Sequence, residues 1–339
     1  MLNFCTLFNT SYLAKGLALY HSLTQTCPAF HLYIFAFDDI TYNILTQKKL
    51  ENATIISLNQ FDNEHLIAVK PERSMPEYCW TCTPFTIKHC IETYSLKHCT
   101  YVDADTFFYS DPAKLIEDMG DNSVLITPHY YYPLYDQSAM SGIYCVQYTT
   151  FKQTEAGMKV LNWWAQACIK WCYARYEDGK MGDQKYLDSW PYMFEGVQIC
   201  RNIGAGLAPW NSLNYTYKYT DKKVIVNDTE LIFYHFHDLK YLSDNLWYLG
   251  GYNLPEFITR YIYKEYIQIL IDINNDLNNE FGKVDALGTT AIEKFNMLST
   301  RYKLSIYWLN IKRSFRQFIG DLLFVEKRKF YKNNFIKIN

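Results

Sequence analysis

The sequence predicts an α/β fold built on a mostly parallel sheet with helices on both faces. Three observations predict it: short apolar runs that end in polar or acidic residues, amphipathic segments between those runs, and a chain of 339 residues, 49% of them hydrophobic, which can bury a large core. Leu2 to Phe8 reads as a buried strand, followed by a loop at Asn9 to Ser11 and an amphipathic helix from about Tyr12 to Thr24. A second strand, His31 to Phe37, ends at Asp38 and Asp39; a helix near 41–50 and a short strand at Thr54 to Leu58 complete a β-α-β-α-β start. A loop punctuated by Pro71 and Pro76 leads to a helix from about Pro84 to Tyr94, and then to a strand whose end reads Thr-Tyr-Val-Asp-Ala-Asp at 100–105. Further strands are expected at Ser123 to Thr127, Gly142 to Gln147 and Leu231 to Phe236, with a long helix over about 151–175. From Pro255 onward the pattern is helical, with candidates at 255–281, 286–300 and 305–330. The chain thus divides into an α/β domain over 1–250 and a helical C-terminal extension over 251–339. In open sheets of this kind ligands bind outside the carboxyl ends of the strands.

Composition narrows the function classes. A net charge of −2 argues against a nucleic-acid partner, but residues 301–339 hold ten Lys or Arg against Asp321 and Glu326, leaving −10 on the rest. A basic tail carrying aromatics on an acidic body suggests docking on an anionic surface such as the cytoplasmic leaflet of a membrane. No apolar run reaches the length of a membrane-spanning helix, and Met1 leads straight into the first strand without a secretory leader pattern, so a cytoplasmic location is expected. The ten cysteines are scattered, with no paired zinc-type spacing, and read as reduced and mostly buried. The 31 Tyr, 21 Phe and 8 Trp exceed what a core alone needs, and Tyr130, Tyr131, Tyr132 and Tyr135 crowd one loop, where rings with hydroxyl tips suit a glycan.

Asp103 and Asp105 carry the chemistry. Spaced i, i+2 at the end of an apolar strand, their carboxylates return to one face and can share one divalent cation. Two enzyme classes use such a pair. With Thr106, the run Asp103-x-Asp105-x resembles the first motif of haloacid-dehalogenase-like phosphatases, and Gly182-Asp183 with Asp188 resembles their later acidic motif. That family's first motif normally lies near the N-terminus, whereas 100 residues of α/β pattern precede it here, and a loop rather than an apolar strand precedes Gly182.

The second resemblance covers roughly residues 2–250. The segment Asn9-Thr-Ser-Tyr12-Leu-Ala-Lys15-Gly16 resembles the opening of glycosyltransferase family 8, the glycogenin-like GT-A enzymes, and Asp103-Ala104-Asp105 resembles that family's metal motif. Gly182-Asp183-Gln184 resembles its donor-sugar motif, Ser141-Gly142-Ile143 a strand start, and Tyr234-His235-Phe236 with Lys240 its terminal His and Lys. Met140 replaces the family's Asn before Ser-Gly, and Lys240 follows His235 by five residues instead of six. Segment 73–84 looks more like bacterial surface-polysaccharide transferases than like glycogenin itself.

The resemblance implies a nucleotide-sugar glycosyltransferase, UDP-sugar favoured, that uses Mn²⁺ or Mg²⁺ and retains anomeric configuration. Asp103 and Asp105 would bind the metal, with His235 or His237 as third ligand. Phe8, Asn9, Tyr12 and Asp38 would contact base or ribose, although Asp38 equally suits a helix N-cap. Arg73, Ala104 and Lys240 would meet the diphosphate, and Asp183 and Gln184 would sit at the reaction centre. The implied acceptor is a glycan or a lipid-linked oligosaccharide in bacterial surface-polysaccharide synthesis. A nucleotide-sugar-binding protein without catalysis is the non-enzyme alternative.

Overall fold

The computed structural model of the chain describes residues 1–243, 245–291 and 334–338. Its centre is a seven-stranded sheet in the order β3-β2-β1-β4-β7-β6-β8. These strands are β1 (Leu2–Phe8), β2 (Phe30–Ala36), β3 (Ala53–Ser57), β4 (His98–Val102), β6 (Val124–Pro128), β7 (Tyr144–Lys152) and β8 (Val197–Ile199); a short β5 (Thr106–Phe108) lies outside the sheet. All pairings are parallel except those of β7, which runs antiparallel to both β4 and β6. The expected α/β class with a mostly parallel sheet is the architecture observed.

Alternation along β1 builds two cores. Phe4 and Phe8 face one side, with α1 (Leu13–Thr26) and α2 (Asp39–Lys48); Cys5 and Leu7 face the other, with α3 (Met75–Thr93) and α4 (Glu155–Lys170). Helix Lys264–Phe281, preceded by a turn of π-helix over Thr259–Tyr263, joins the first core through Tyr266, Ile267, Leu270 and Leu277. It fills the predicted 255–281 segment. The candidate helices at 286–300 and 305–330, and the basic tail apart from Lys337, lie outside the described residues. No described helix is long and apolar enough to cross a membrane. Nine of the ten cysteines are buried, none is in a disulfide, and Cys79 is half-buried.

Three elements differ from the sequence reading. Helix α3 starts at Met75, well before Pro84, because Ser74 and Glu77 close a capping box and Pro76 sits in the first turn, where its missing N–H costs nothing. Pro84 is then accommodated inside the helix. Strand β7 extends to Lys152, so α4 begins at Glu155, where the Thr154 hydroxyl accepts from the Gly157 amide. The strand expected at Leu231 to Phe236 is shorter, Phe233–His235, and pairs antiparallel with β5 instead of joining the main sheet.

Close approach of α1 to β1 positions the first loop. A Cβ on Gly16 would lie 2.3 Å from the Phe8 ring, which is itself buried. Replacing Gly16 with Ala is expected to destabilise the fold by about 1–3 kcal/mol through overpacking, read as a lower midpoint in guanidinium unfolding. An unchanged midpoint would show that the Phe8 ring yields freely.

Candidate active site

The site grows from the end of β4. Beyond Val102 the chain turns, with the Thr106 amide donating to the Asp103 carbonyl, and continues into β5. The antiparallel register Thr106↔His235 and Phe107↔Tyr234 then brings His235 beside the acidic pair. Its Nε2 lies 3.1 Å from Asp105 Oδ1 and 3.7 Å from Asp103 Oδ2. Asp105 and His235 are buried and Asp103 is partly exposed, while Ala104 between the acids packs into the core.

Two residues that sequence reasoning did not assign complete this arrangement. Lys15, buried on α1, places Nζ 3.8 Å from Asp105 Oδ2, donates to the Leu239 carbonyl at 3.1 Å and lies 4.1 Å from the Tyr12 ring centroid. Its signal is a lone charge within the apolar run Leu13 to Leu19. Gln147, wholly buried on β7 next to β4, holds the other face of His235, with Oε1 2.8 Å from Nδ1. A Cβ at residue 206 would lie 2.8 Å from Gln147 Nε2, so Gly206, at φ +90°, leaves room for that amide. Gln147 leaves no periodic trace in sequence, since a single amide within a strand has no pattern to belong to.

The electrostatics follow from burial. Burial favours neutral forms, yet the carboxylates of Asp105 and Asp103 outweigh it and hold His235 well above the ordinary imidazole range. Burial likewise opposes ionisation of Asp105, but His235 and Lys15 hold it well below the usual carboxylate range. Asp103 is raised, by burial first and then by the neighbouring Asp105 charge, with His235 acting in the opposite sense. Asp183 is buried and raised to about 7, by burial and then by Asp103.

The donor set fits a divalent cation. A Gln147 amide oxygen accepting from Nδ1–H leaves Nε2 as the metal-facing atom, the usual arrangement behind a ligating histidine. Two carboxylates and one imidazole suit Mn²⁺ or Mg²⁺. The tighter ligand cluster among the described residues is Cys5, Cys90 and Cys99, three buried thiols beneath the sheet and away from the acids.

The remaining candidates fall into two groups. Tyr12 is 41% exposed beside Lys15, open to a stacked base. Asp183 follows a left-handed turn at Gly182, with its carbonyl accepting from Trp164 Nε1, and Gln184 donates from Nε2 to the Ser141 carbonyl. Lys240 pairs with Asp238, and its charge acts on Lys15. The others have contacts within the protein. Asp38 caps α2 through the Thr41 amide and ties down the Thr10 amide and hydroxyl, which is the N-cap role. The Phe8 carbonyl accepts from the Phe37 amide, and Asn9 Oδ1 accepts from the Ser11 hydroxyl. Arg73 is buried with its guanidinium 3.8 Å from the Tyr173 ring centroid and Nη2 3.3 Å from the Ile169 carbonyl. His237 lies past the end of the strand, exposed and in edge contact with Trp210, with its ring centroid 5.8 Å from that of His235, whose Nε2 is the imidazole nitrogen within 4 Å of the acids among the described residues.

A cation bound here must displace the His235 proton. Calorimetry of Mn²⁺ binding near neutral pH in buffers of different ionisation enthalpy is expected to show about one proton released per ion, with affinity rising as pH rises. Binding without proton release would contradict the placement of His235.

No protein-family model matches the chain. It is 30% identical over 277 residues to the uncharacterised protein YfnD of Bacillus subtilis, covering 78% of this chain and 87% of that protein. It is also 30% identical over 251 residues to the uncharacterised YfnF of the same organism, covering 71% and 83%. Among solved structures it is similar to the galactosyltransferase LgtC in complex with donor and acceptor sugar analogs, at TM-score 0.49 and 12% identity, covering 80% of this chain and 96% of LgtC. It is also similar to the Streptococcus pneumoniae glycosyltransferase GlyE, at TM-score 0.44 and 11% identity, covering 84% and 64%. On the strength of the two Bacillus relatives, the chain belongs to the family of YfnD and YfnF.

Proposed function

We propose that the protein is a metal-dependent, retaining glycosyltransferase of the GT-A type that moves a hexosyl group from a nucleotide sugar, UDP-sugar favoured, to a glycan acceptor in bacterial surface-polysaccharide synthesis. The observation that carries this reading is the convergence of Asp103, Asp105 and His235 Nε2 at the carboxyl end of β4, backed by Gln147 and Lys15. A divalent cation bound there would supply charge neutralisation for a departing diphosphate. Asp103 and Asp105 would hold it, His235 would add a nitrogen, and Gln147 accepts at Nδ1 so that Nε2 faces the acids.

The chain's own cations serve the same leaving group. Lys15 lies within the site beside Asp105, whose carboxylate supports its charge against the burial that lowers it, and Lys240 adds a more exposed cation. Tyr12 offers its exposed ring to the base, in a loop that Asp38 and Asn9 keep in shape. Near neutral pH Asp183 is divided between its two forms because burial and Asp103 oppose its charge. Neutralising Asp103 removes that repulsion and favours the Asp183 carboxylate, the form that stabilises positive charge at the anomeric carbon. Gln184, anchored to Ser141, orients the sugar.

A phosphatase would use Asp103 as nucleophile and need a second acid at a strand end, whereas Asp183 follows the Gly182 turn and Asp103 faces His235. Assays with a UDP-sugar panel and Mn²⁺ test the proposal. Replacing Asp103 or Asp105 with Ala is expected to lower turnover about a thousandfold, the several kcal/mol that such an electrostatic clamp supplies. Full turnover in both variants would overturn the proposal. Phosphate-ester hydrolysis without sugar transfer would indicate the phosphatase, and donor binding without turnover a binding protein.

A further inference from the structure

We propose, on the glycosyltransferase reading, that Phe335 is a positioning residue of the donor site: through Tyr248 it sets the place of the Lys240 ammonium, and with it the grip on the donor diphosphate. Lys240 opens a strand, Lys240–Ser243, that pairs antiparallel with Leu246–Tyr248, which pairs in turn with Phe335–Lys337. The register sets Lys240 opposite Tyr248 and Tyr248 opposite Phe335, so the three side chains form one row across one face of the sheet. The contacts follow that row. Lys240 Nζ lies 5.8 Å from the Tyr248 ring centroid, within reach of a cation–π contact, and the Tyr248 and Phe335 ring centroids are 5.4 Å apart.

The next row anchors the opposite face. Tyr241 lies opposite Trp247 and Trp247 opposite Ile336; Trp247 is buried in the first core, its ring centroid 5.1 Å from that of Tyr241, and Tyr241 and Ile336 pack against the same core. One face of this small sheet is thus fixed to the protein, and the other carries Lys240. A hairpin of two strands is marginally stable alone, and a third strand gives such a unit a fixed shape. Phe335–Lys337 supplies it, extended by the Leu249 amide donating to the Asn334 carbonyl at 2.8 Å and the Ile338 amide to the Asn245 carbonyl at 3.1 Å.

Two connections tie this sheet to the acidic pair. Lys15 Nζ, beside Asp105, donates to the carbonyl of Leu239, the residue before Lys240, and the Lys240 charge is close enough to act on Lys15. The Thr290 amide donates to the Tyr241 carbonyl at 2.9 Å, and the stretch that ends there lies against the loop of Tyr12: the Ala14 amide donates to the Ala286 carbonyl at 3.0 Å, and a Cβ on Gly288 would lie 2.6 Å from the Ser11 carbonyl oxygen. Lys240 itself is held between the Asp238 carboxylate and the Tyr248 ring. A lysine carries its charge on a flexible stem, so a ring that confines the stem beforehand lowers the ordering cost of gripping a diphosphate.

Titrations of the full chain with Mn²⁺ alone, with uridine, and with UDP in the presence of Mn²⁺ test this. Phe335→Ala is expected to weaken UDP about fivefold, Lys240→Ala at least as much, and the double variant no more than Lys240→Ala alone, because Phe335 acts through Lys240. Uridine and Mn²⁺ are expected to bind all variants as they bind the unaltered protein, which shows that the variants are folded and that the loss is confined to the diphosphate. Phe335→Tyr, which keeps the ring, is expected to keep the UDP affinity. An unchanged UDP affinity in Phe335→Ala, additive losses in the double variant, or an equal loss of uridine or Mn²⁺ would overturn the proposal. Failure of UDP with Mn²⁺ to bind the unaltered protein would instead strike the donor reading. Hydrogen exchange then decides the positioning: Phe335→Ala is expected to speed exchange at the amides of Lys240–Ser243 and Leu246–Tyr248, and unchanged exchange there would overturn it.

Discussion

The structure depends on one constraint: two carboxylates at the end of β4, one of them buried, must be neutralised. Asp105 sits inside the protein with His235 at 3.1 Å and Lys15 at 3.8 Å, and Asp103 shares the same imidazole. A buried charge that loses its partner costs about 3–5 kcal/mol, so the helix that carries Lys15 and the strand that carries His235 are fixed by the same two acids. This explains why β5 leaves the main sheet. It pairs instead with Phe233–His235 and so delivers an imidazole from more than a hundred residues away.

The support behind that cluster is apolar and tight. Phe8 against Gly16 sets the distance between β1 and α1, and hence the reach of Lys15. Gln147 orients His235 at the expense of its own Nε2, which is buried without a partner among the described residues. An unmet buried donor costs about 1–3 kcal/mol, a burden that strand packing alone gives no reason to keep.

Much of this was legible in the sequence, and the reasons differ by element. Strands β1 and β2 are buried on both faces, so they read as continuous apolar runs with clear ends. The start of α3 was hidden because Pro71 and Pro76 look like loop punctuation and Pro84 like the opening residue, whereas the Ser74–Glu77 box makes Pro76 a residue of the first turn. Asp103 and Asp105 stand out as acids that end an apolar strand. The choice between His235 and His237 was open because alternation puts both on one face; the strand stops at His235, which lies against the acids, while the His237 ring stays 5.8 Å from it between centroids. Asp38, at a strand end, caps α2 and holds the Thr10 amide and hydroxyl. Gln147 was illegible, since its role exists only through a contact 88 positions away in sequence.

The most direct measurement is anomalous diffraction at the manganese edge from crystals grown with Mn²⁺ and UDP. The account predicts one peak bound by carboxylate oxygens of Asp103 and Asp105 and by His235 Nε2, with the base over Tyr12. A peak that does not touch these three residues, or a nucleotide bound with no metal beside them, would contradict it.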